Sequence, residues 1–202
     1  MGTTPEICRI HFEAPGAQAT VSEALWRLLG PLWEPGLPLV CLCIGTDRST
    51  GDALGPLVGR ALRAQATAGV HVVGCLDDPV HATNLAETLA RVEAQLPGAL
   101  VVAVDACLGR VDTVGTITIG RGPLLPGAGV NKALPSVGTA FVTGTVNVGG
   151  FMEYFVLQNT RLSLVLRMAE VIAGGLAQAF ARLAVGEPRP AAVAEVSATA
   201  AG

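Results

Sequence analysis

Three runs of the chain are apolar at nearly every position: residues 37–45 (LPLVCLCIG), 70–76 (VHVVGCL) and 99–107 (ALVVAVDAC). Continuous apolar runs bounded by turn residues suit strands covered on both faces, as in a parallel sheet. Between them the apolar period changes to that of a helix. Leu54, Leu57, Val58, Ala61 and Leu62 make one stripe within residues 53–66, and Pro56 is tolerated in a first turn. Residues 84–96 read as a second helix, with Asn84 and Glu87 spaced as a capping box and Pro97-Gly98 as its stop. A shorter helix is predicted over residues 22–29, with Ser22 as its N-cap. The order strand–helix–strand–helix–strand predicts an α/β fold with a parallel sheet.

Later segments are read the same way. Residues 114–120 alternate more openly and predict an edge or antiparallel strand, and residues 139–148 predict a further strand. From Glu153 to about Leu183 the pattern predicts one or two helices. Residues 121–138 form a long Gly/Pro-rich loop, of the length that is functional or disordered. One domain is expected over residues 17–184, after a flexible N-terminus (1–16) and before a disordered Pro/Ala-rich tail (185–202).

Composition narrows the classes. The 202 residues suit one domain, and 13 Lys and Arg against 16 Asp and Glu give a net charge of −3. That balance makes no electrostatic case for nucleic acid or an anionic membrane. The N-terminal residues lack the basic and apolar regions of a signal peptide, and no run approaches the ~18 apolar residues that span a bilayer. A soluble, cytoplasmic chain is expected. Five cysteines, an odd number, argue against a disulfide framework. Cys41 and Cys43 would share one strand face as small buried hydrophobes, with no Cys or His cluster to complete a metal site.

Sites in open α/β sheets form at the carboxyl ends of strands. Three loops qualify: Thr46 to Asp52, Asp77 to His81, and the segment opening at Asp105. A carboxylate ending the apolar run LVVAV must be paired, hydrated or functional. The first loop holds Asp47 and Asp52 among Gly, Ser and Thr, but lacks the Lys–Ser/Thr pair of a phosphate loop. Ser49, His81 and Asp105 can be assembled as a triad, although no G-x-S-x-G elbow is present. A Cys107–His81 pair is a further option. Asp52 and Asp105 are the candidates for a carboxylate pair, which raises one pKa and supplies an acid and a base, or else holds a divalent metal. Asp52 alone also suits a helix N-cap.

Five blocks carry a family resemblance: GTDRSTGDALGPLVG, DDPVHATNL, VDACLGRVDTVGTITIG, GPLLPGAGVNKALP and GGFMEYFVLQNTRL. They resemble the sporulation protein family YyaC over residues 40–172. That family resembles two groups of peptidases. The germination protease, which degrades small acid-soluble spore proteins, has blocks like Asp52 to Pro56, Asp105-Ala106 and Pro126 to Val130. The resemblance implies that Asp52 and Asp105 are catalytic. Hydrogenase maturation endopeptidases use an acid at the position of Asp52, an aspartate like Asp105 and a later histidine on the metal of a nickel-containing substrate. No histidine follows His81 here, so that ligand set is incomplete.

The resemblance implies a three-layer α/β/α fold of the phosphorylase/hydrolase type, with a mostly parallel sheet. It implies a sporulation-associated peptidase, in the mother cell or forespore, acting on proteins or peptides such as small acid-soluble spore proteins. Asp52 and Asp105 would share a proton, one activating water and the other protonating the leaving group. Amides of Gly45–Thr46 or Gly127–Gly129 would stabilise the oxyanion. Asn131 and Lys132 would bind a substrate carboxylate, Asn147 and Glu153 would line the site, and Asp47, Asp78 and His81 would support it. No cofactor is required on this reading, with a divalent metal on Asp52 and Asp105 as the alternative. Phe151, Tyr154 and Phe155 suit either the core or a homo-oligomer interface. The rival from another class is a non-catalytic binding or scaffold protein that keeps the peptidase fold.

Overall fold

The three apolar runs become three neighbouring parallel strands. The computed structural model describes residues 6–65, 69–126 and 134–187. Along the chain these form β1 (Glu6–His11), α1 (Ala17–Leu29), β2 (Leu39–Cys43), α2 (Leu54–Ala64), β3 (Val70–Val73) and α3 (Leu85–Gln95). Next come β4 (Leu100–Gly109), β5 (Thr116–Arg121), β6 (Ala140–Val148), α4 (Glu153–Gln158) and α5 (Leu162–Ala184). One six-stranded sheet has the order β1-β5-β6-β4-β2-β3. β3, β2, β4 and β6 are parallel, while β5 runs antiparallel between β6 and β1. The fold is α/β, as the alternating pattern predicts.

Alternation along the strands divides the core. Cys41 and Cys43 of β2, and Val102 and Val104 of β4, face the larger layer built from α1, α2 and α5. Leu42 and Ala103 face the smaller layer, where α3 contributes Leu85 and the bridged pair Leu124 and Val137 joins Phe141. The Cys41 and Cys43 sulfurs lie 3.7 Å apart, both fully buried. They are core hydrophobes on one strand face, as their spacing predicts.

Several expectations need correction. Residues 6–11, expected to be flexible, are β1, which pairs with β5 from Glu6↔Gly120 to His11↔Thr116. Of the two alternatives for β5, edge or antiparallel strand, the second holds: it is antiparallel and interior. Of the expected tail, residues 188–202 lie outside the described residues. α1 begins after Gly16, whose φ of 75° lets the chain turn into the helix, and Ser22 lies buried within that helix instead of capping it. Asn84 precedes α3, but its side chain makes no cap to that helix. Instead, Asn84 Oδ1 accepts from the His81 N–H (2.8 Å) and Nδ2 donates to the Pro79 carbonyl (3.0 Å). α5 meets the length and apolarity of a membrane span, contrary to expectation. Here Met168, Ile172, Leu176 and Phe180 are fully buried in the core. α5 packs closely on α1, since a Cβ at Gly174 or Gly175 would collide with Gln18 or Val21.

Candidate active site

The connection from β2 runs to β3 on one side, and the connection from β3 returns to β4 on the other. The switch point thus falls between β2 and β4, the place where open α/β sheets bind ligands. β2 stops at Cys43, whose partner is Val104. β4 continues, so Asp105 stands immediately beyond the end of its neighbour, paired with Thr143 of β6 on the other side. Asp105 does not end its strand, as the apolar run suggested; four more residues follow it in β4.

A tight turn brings Asp52 to the same place. Gly45 adopts a φ of 139°, and a Cβ there would collide with the Asp52 carbonyl. A Cβ at Gly55 would collide with the Ile44 backbone. These two glycines let the start of α2 press against the end of β2. Asp52 lies in a 3₁₀ turn, Gly51–Ala53, and makes no side-chain cap. Ala53, not Asp52, precedes α2. The N-cap reading of Asp52 therefore fails, and its carboxyl is left for the cleft.

The loop after β3 is hooked onto the loop after β2. Ile44 bridges Val80, and the Gly45 N–H donates to the Val80 carbonyl at 2.7 Å. This brings His81 to the cleft. Its Nδ1 lies 2.9 Å from the Thr83 hydroxyl, so Nε2 is the ring nitrogen left for a ligand.

Asp52, Asp105 and His81 line one cleft of about 540 Å³ with Ser49, Arg48 and Cys107. Its other walls are apolar, from Leu108, Leu124, Leu125, Leu134 and Leu157. Asp105 is only 7% exposed, and its Oδ1 accepts from the Ala106 N–H at 2.8 Å. Burial raises its pKa well above the ordinary carboxylate range. The charge of Asp52 raises it further, while the Ala106 amide opposes. Asp52 is half-buried, and burial raises its pKa too, against the Thr46 amide and the charge of His81. Two carboxyls with unequal environments thus face one cleft, and the deeper one holds its proton more firmly.

The other expected site residues scatter. Asp47 is exposed and does not line the cleft. Asp78 is exposed and lines a separate depression with Arg63, His71 and Arg91. His71 is likewise exposed, on β3. Asn147 spends its amide on α4 and the turn after it, donating to the Val156 carbonyl (3.3 Å) and the Thr160 hydroxyl (3.2 Å). It is a strut between β6 and α4, not a lining residue. Glu153 does line the cleft. Asn131, Lys132 and Gly127–Gly129 lie outside the described residues. The Gly45 and Thr46 amides are already used, by the Val80 and Asp52 carbonyls, so they form no oxyanion hole.

The remaining chemistry options also separate. Burial raises the Cys107 pKa despite nearby Thr145 and Thr143, which keeps the thiol protonated and weakens a Cys107–His81 reading. Among the described residues, no three His, Cys, Asp or Glu side chains gather as ligands for a metal ion. A divalent cation held by Asp52 and Asp105 would take its remaining oxygens from water or substrate. Two lining residues carried no strong sequence signal. Arg48 brings the one guanidinium among the residues lining the cleft, and sequence reasoning passed over it. Ser49 Oγ is buried with no hydrogen-bond partner among the described residues.

Residues 9–175 match the family described as "Protein of unknown function (DUF1256)". The "Uncharacterized protein YyaC" of Bacillus subtilis (strain 168) is 58% identical over 141 residues, 70% of this chain and 69% of that protein. Among solved structures, a NiFe hydrogenase maturation protease HycI from Thermococcus kodakarensis KOD1 matches with a TM-score of 0.48 and 20% identity. That match covers 75% of this chain and 97% of the other.

Proposed function

The chain belongs to the DUF1256 family, and for it we propose a two-aspartate peptidase activity on protein or peptide substrates in a spore-forming cell. One observation carries this reading. A buried carboxyl, Asp105, and a half-buried one, Asp52, meet at the sheet's switch point, and the charge of Asp52 raises the pKa of Asp105. The motif resemblance at the same two positions supports it.

Asp105, the more strongly shifted, holds the shared proton and delivers it to the leaving amine. Asp52, closer to solvent, accepts a proton from the attacking water. His81, whose charge favours the ionised form of Asp52, keeps that base competent. Arg48 supplies the cleft's guanidinium for the developing oxyanion. No step requires a metal.

The test is incubation of the full chain with small acid-soluble spore proteins and with unfolded protein substrates, read by mass spectrometry. Site-limited cleavage that falls at least about a hundredfold in Asp52→Asn and in Asp105→Asn is expected, the loss typical for general acid–base groups. Cleavage untouched by both substitutions overturns the reading. A folded protein that binds such substrates without cutting them points to the scaffold alternative.

A further inference from the structure

The residues beside the two aspartates have a use that the acid–base step does not absorb. No side chain of α4 is fully buried. Phe151, Tyr154 and Phe155 are 79%, 68% and 57% exposed, and Leu125 is 66% exposed. Such a concentration of exposed aromatic and aliphatic surface marks an interaction site. It is also continuous with the cleft, because Tyr154, Leu157 and Leu125 are at once part of this lip and part of the cleft wall. Polar groups gather at the inner end, around Asp52, Asp105 and Ser49. The apolar surface runs outward from there to Phe151 and Phe155.

Resting on the peptidase reading, we propose that the cleft and the α4 lip bind an extended polypeptide segment that places apolar side chains, Leu or Phe, beside the cleaved bond. A compact small molecule would fill the inner end and leave the lip uncovered. An extended chain reaches from the inner end to the lip. Charge does not favour the acidic alternative: Asp52, Asp105 and Glu153 line the cleft together with Arg48 and His81. A Glu or Asp side chain would there meet like charge in an apolar, poorly hydrated wall. An apolar side chain gains burial against Leu124, Leu134 and Leu157. Substrate choice on this account comes from the lip and walls, and chemistry comes from the inner end.

The test measures binding, not turnover. Full-length Asp105→Asn protein is titrated with fluorescein-labelled ten-residue peptides carrying Leu or Phe, Ser, or Glu at two central positions. The expected order is Leu or Phe at least about tenfold tighter than Ser, with Glu weakest. The double variant Leu125→Ser with Tyr154→Ala is expected to lose that preference. Both residues are exposed, so its melting temperature serves as the control for folding. Equal binding of the three peptides, or a preference that survives the double variant, overturns the proposal. So does sedimentation showing a stable dimer that Phe151→Ser dissociates, because a second copy then covers the lip. The two readings fail separately. Apolar-selective binding without cleavage by the wild-type protein refutes the peptidase and keeps the docking site. Cleavage without apolar preference does the reverse.

Discussion

At Asp105 the stability of the protein and its chemistry pull in opposite directions. Burial and the charge of Asp52 both raise its pKa. Between the unfolded and folded pKa values the native state binds more protons than the unfolded state. Stability is therefore fullest below the unfolded value, near 3.9, and falls as pH rises toward the folded value, by at most about 1.4 kcal/mol per pH unit for this group. Asp105→Asn is expected to raise the melting temperature at pH 7–8 and to flatten stability against pH between 4 and 8. Calorimetry across that range checks it, and a variant less stable than wild type at pH 8 would contradict the burial argument. Ser49 gives a second prediction at this scale. Its hydroxyl is buried without a partner among the described residues, so Ser49→Ala is expected to leave stability unchanged or to raise it by up to about 1 kcal/mol. A fall in peptide cleavage by the same variant would assign the hydroxyl to water or substrate. The aspartates were readable in sequence to different degrees. Asp105 stood out as a charge in an apolar run, whereas Asp47 and Asp52 were equivalent by composition. The motif resemblance singled out Asp52, and the turn geometry fixed by Gly45 and Gly55 agrees: Asp47 is an exposed loop acid, while Asp52 lines the cleft.

Among the elements, legibility followed periodicity. The continuous apolar runs gave β2, β3 and β4, and the stripe from Leu54 to Leu62 gave α2. Capping was misread, because a cap depends on side-chain rotamer and loop path and not on spacing. Asn84 has the residue type and the Glu87 partner of a capping box, yet its amide stabilises the loop that carries His81. The open alternation of β5 matched its antiparallel pairing but left its place in the sheet undecided, because its neighbour β1 is a six-residue segment with no clear pattern of its own. One close contact between elements is readily tested. A Cβ at Gly55 meets backbone at Ile44, which cannot yield as a side chain does. Gly55→Ala is expected to cost about 1–3 kcal/mol in urea unfolding and to displace Asp52, lowering cleavage beyond any stability effect. Full activity and stability in that variant would contradict the close approach of α2 to β2.

For the molecule as a whole, hydropathy did not disclose the layering. α5 reads as a membrane span by length and apolarity, and only its packing against the sheet, α1 and α2 reveals it as the core helix. β1 shows the same limit. The chain before α1 looks like a lead-in, yet it covers one side of β5 along five register pairs. Removing residues 1–11 is expected to lower stability by at least about 2 kcal/mol, a fall of roughly 4–8 °C in melting temperature for a chain of this size. A truncated protein with unchanged melting would show that β1 is dispensable. The account as a whole turns on two carboxyls sharing one proton at the sheet's switch point. The most direct measurement is a carboxyl-carbon NMR titration of the Asp side chains in the wild-type protein and in Asp52→Asn. The expected result is an Asp105 that titrates well above the usual carboxylate range and moves down when the Asp52 charge is removed. An Asp105 that titrates normally, or whose titration ignores Asp52→Asn, would contradict the dyad.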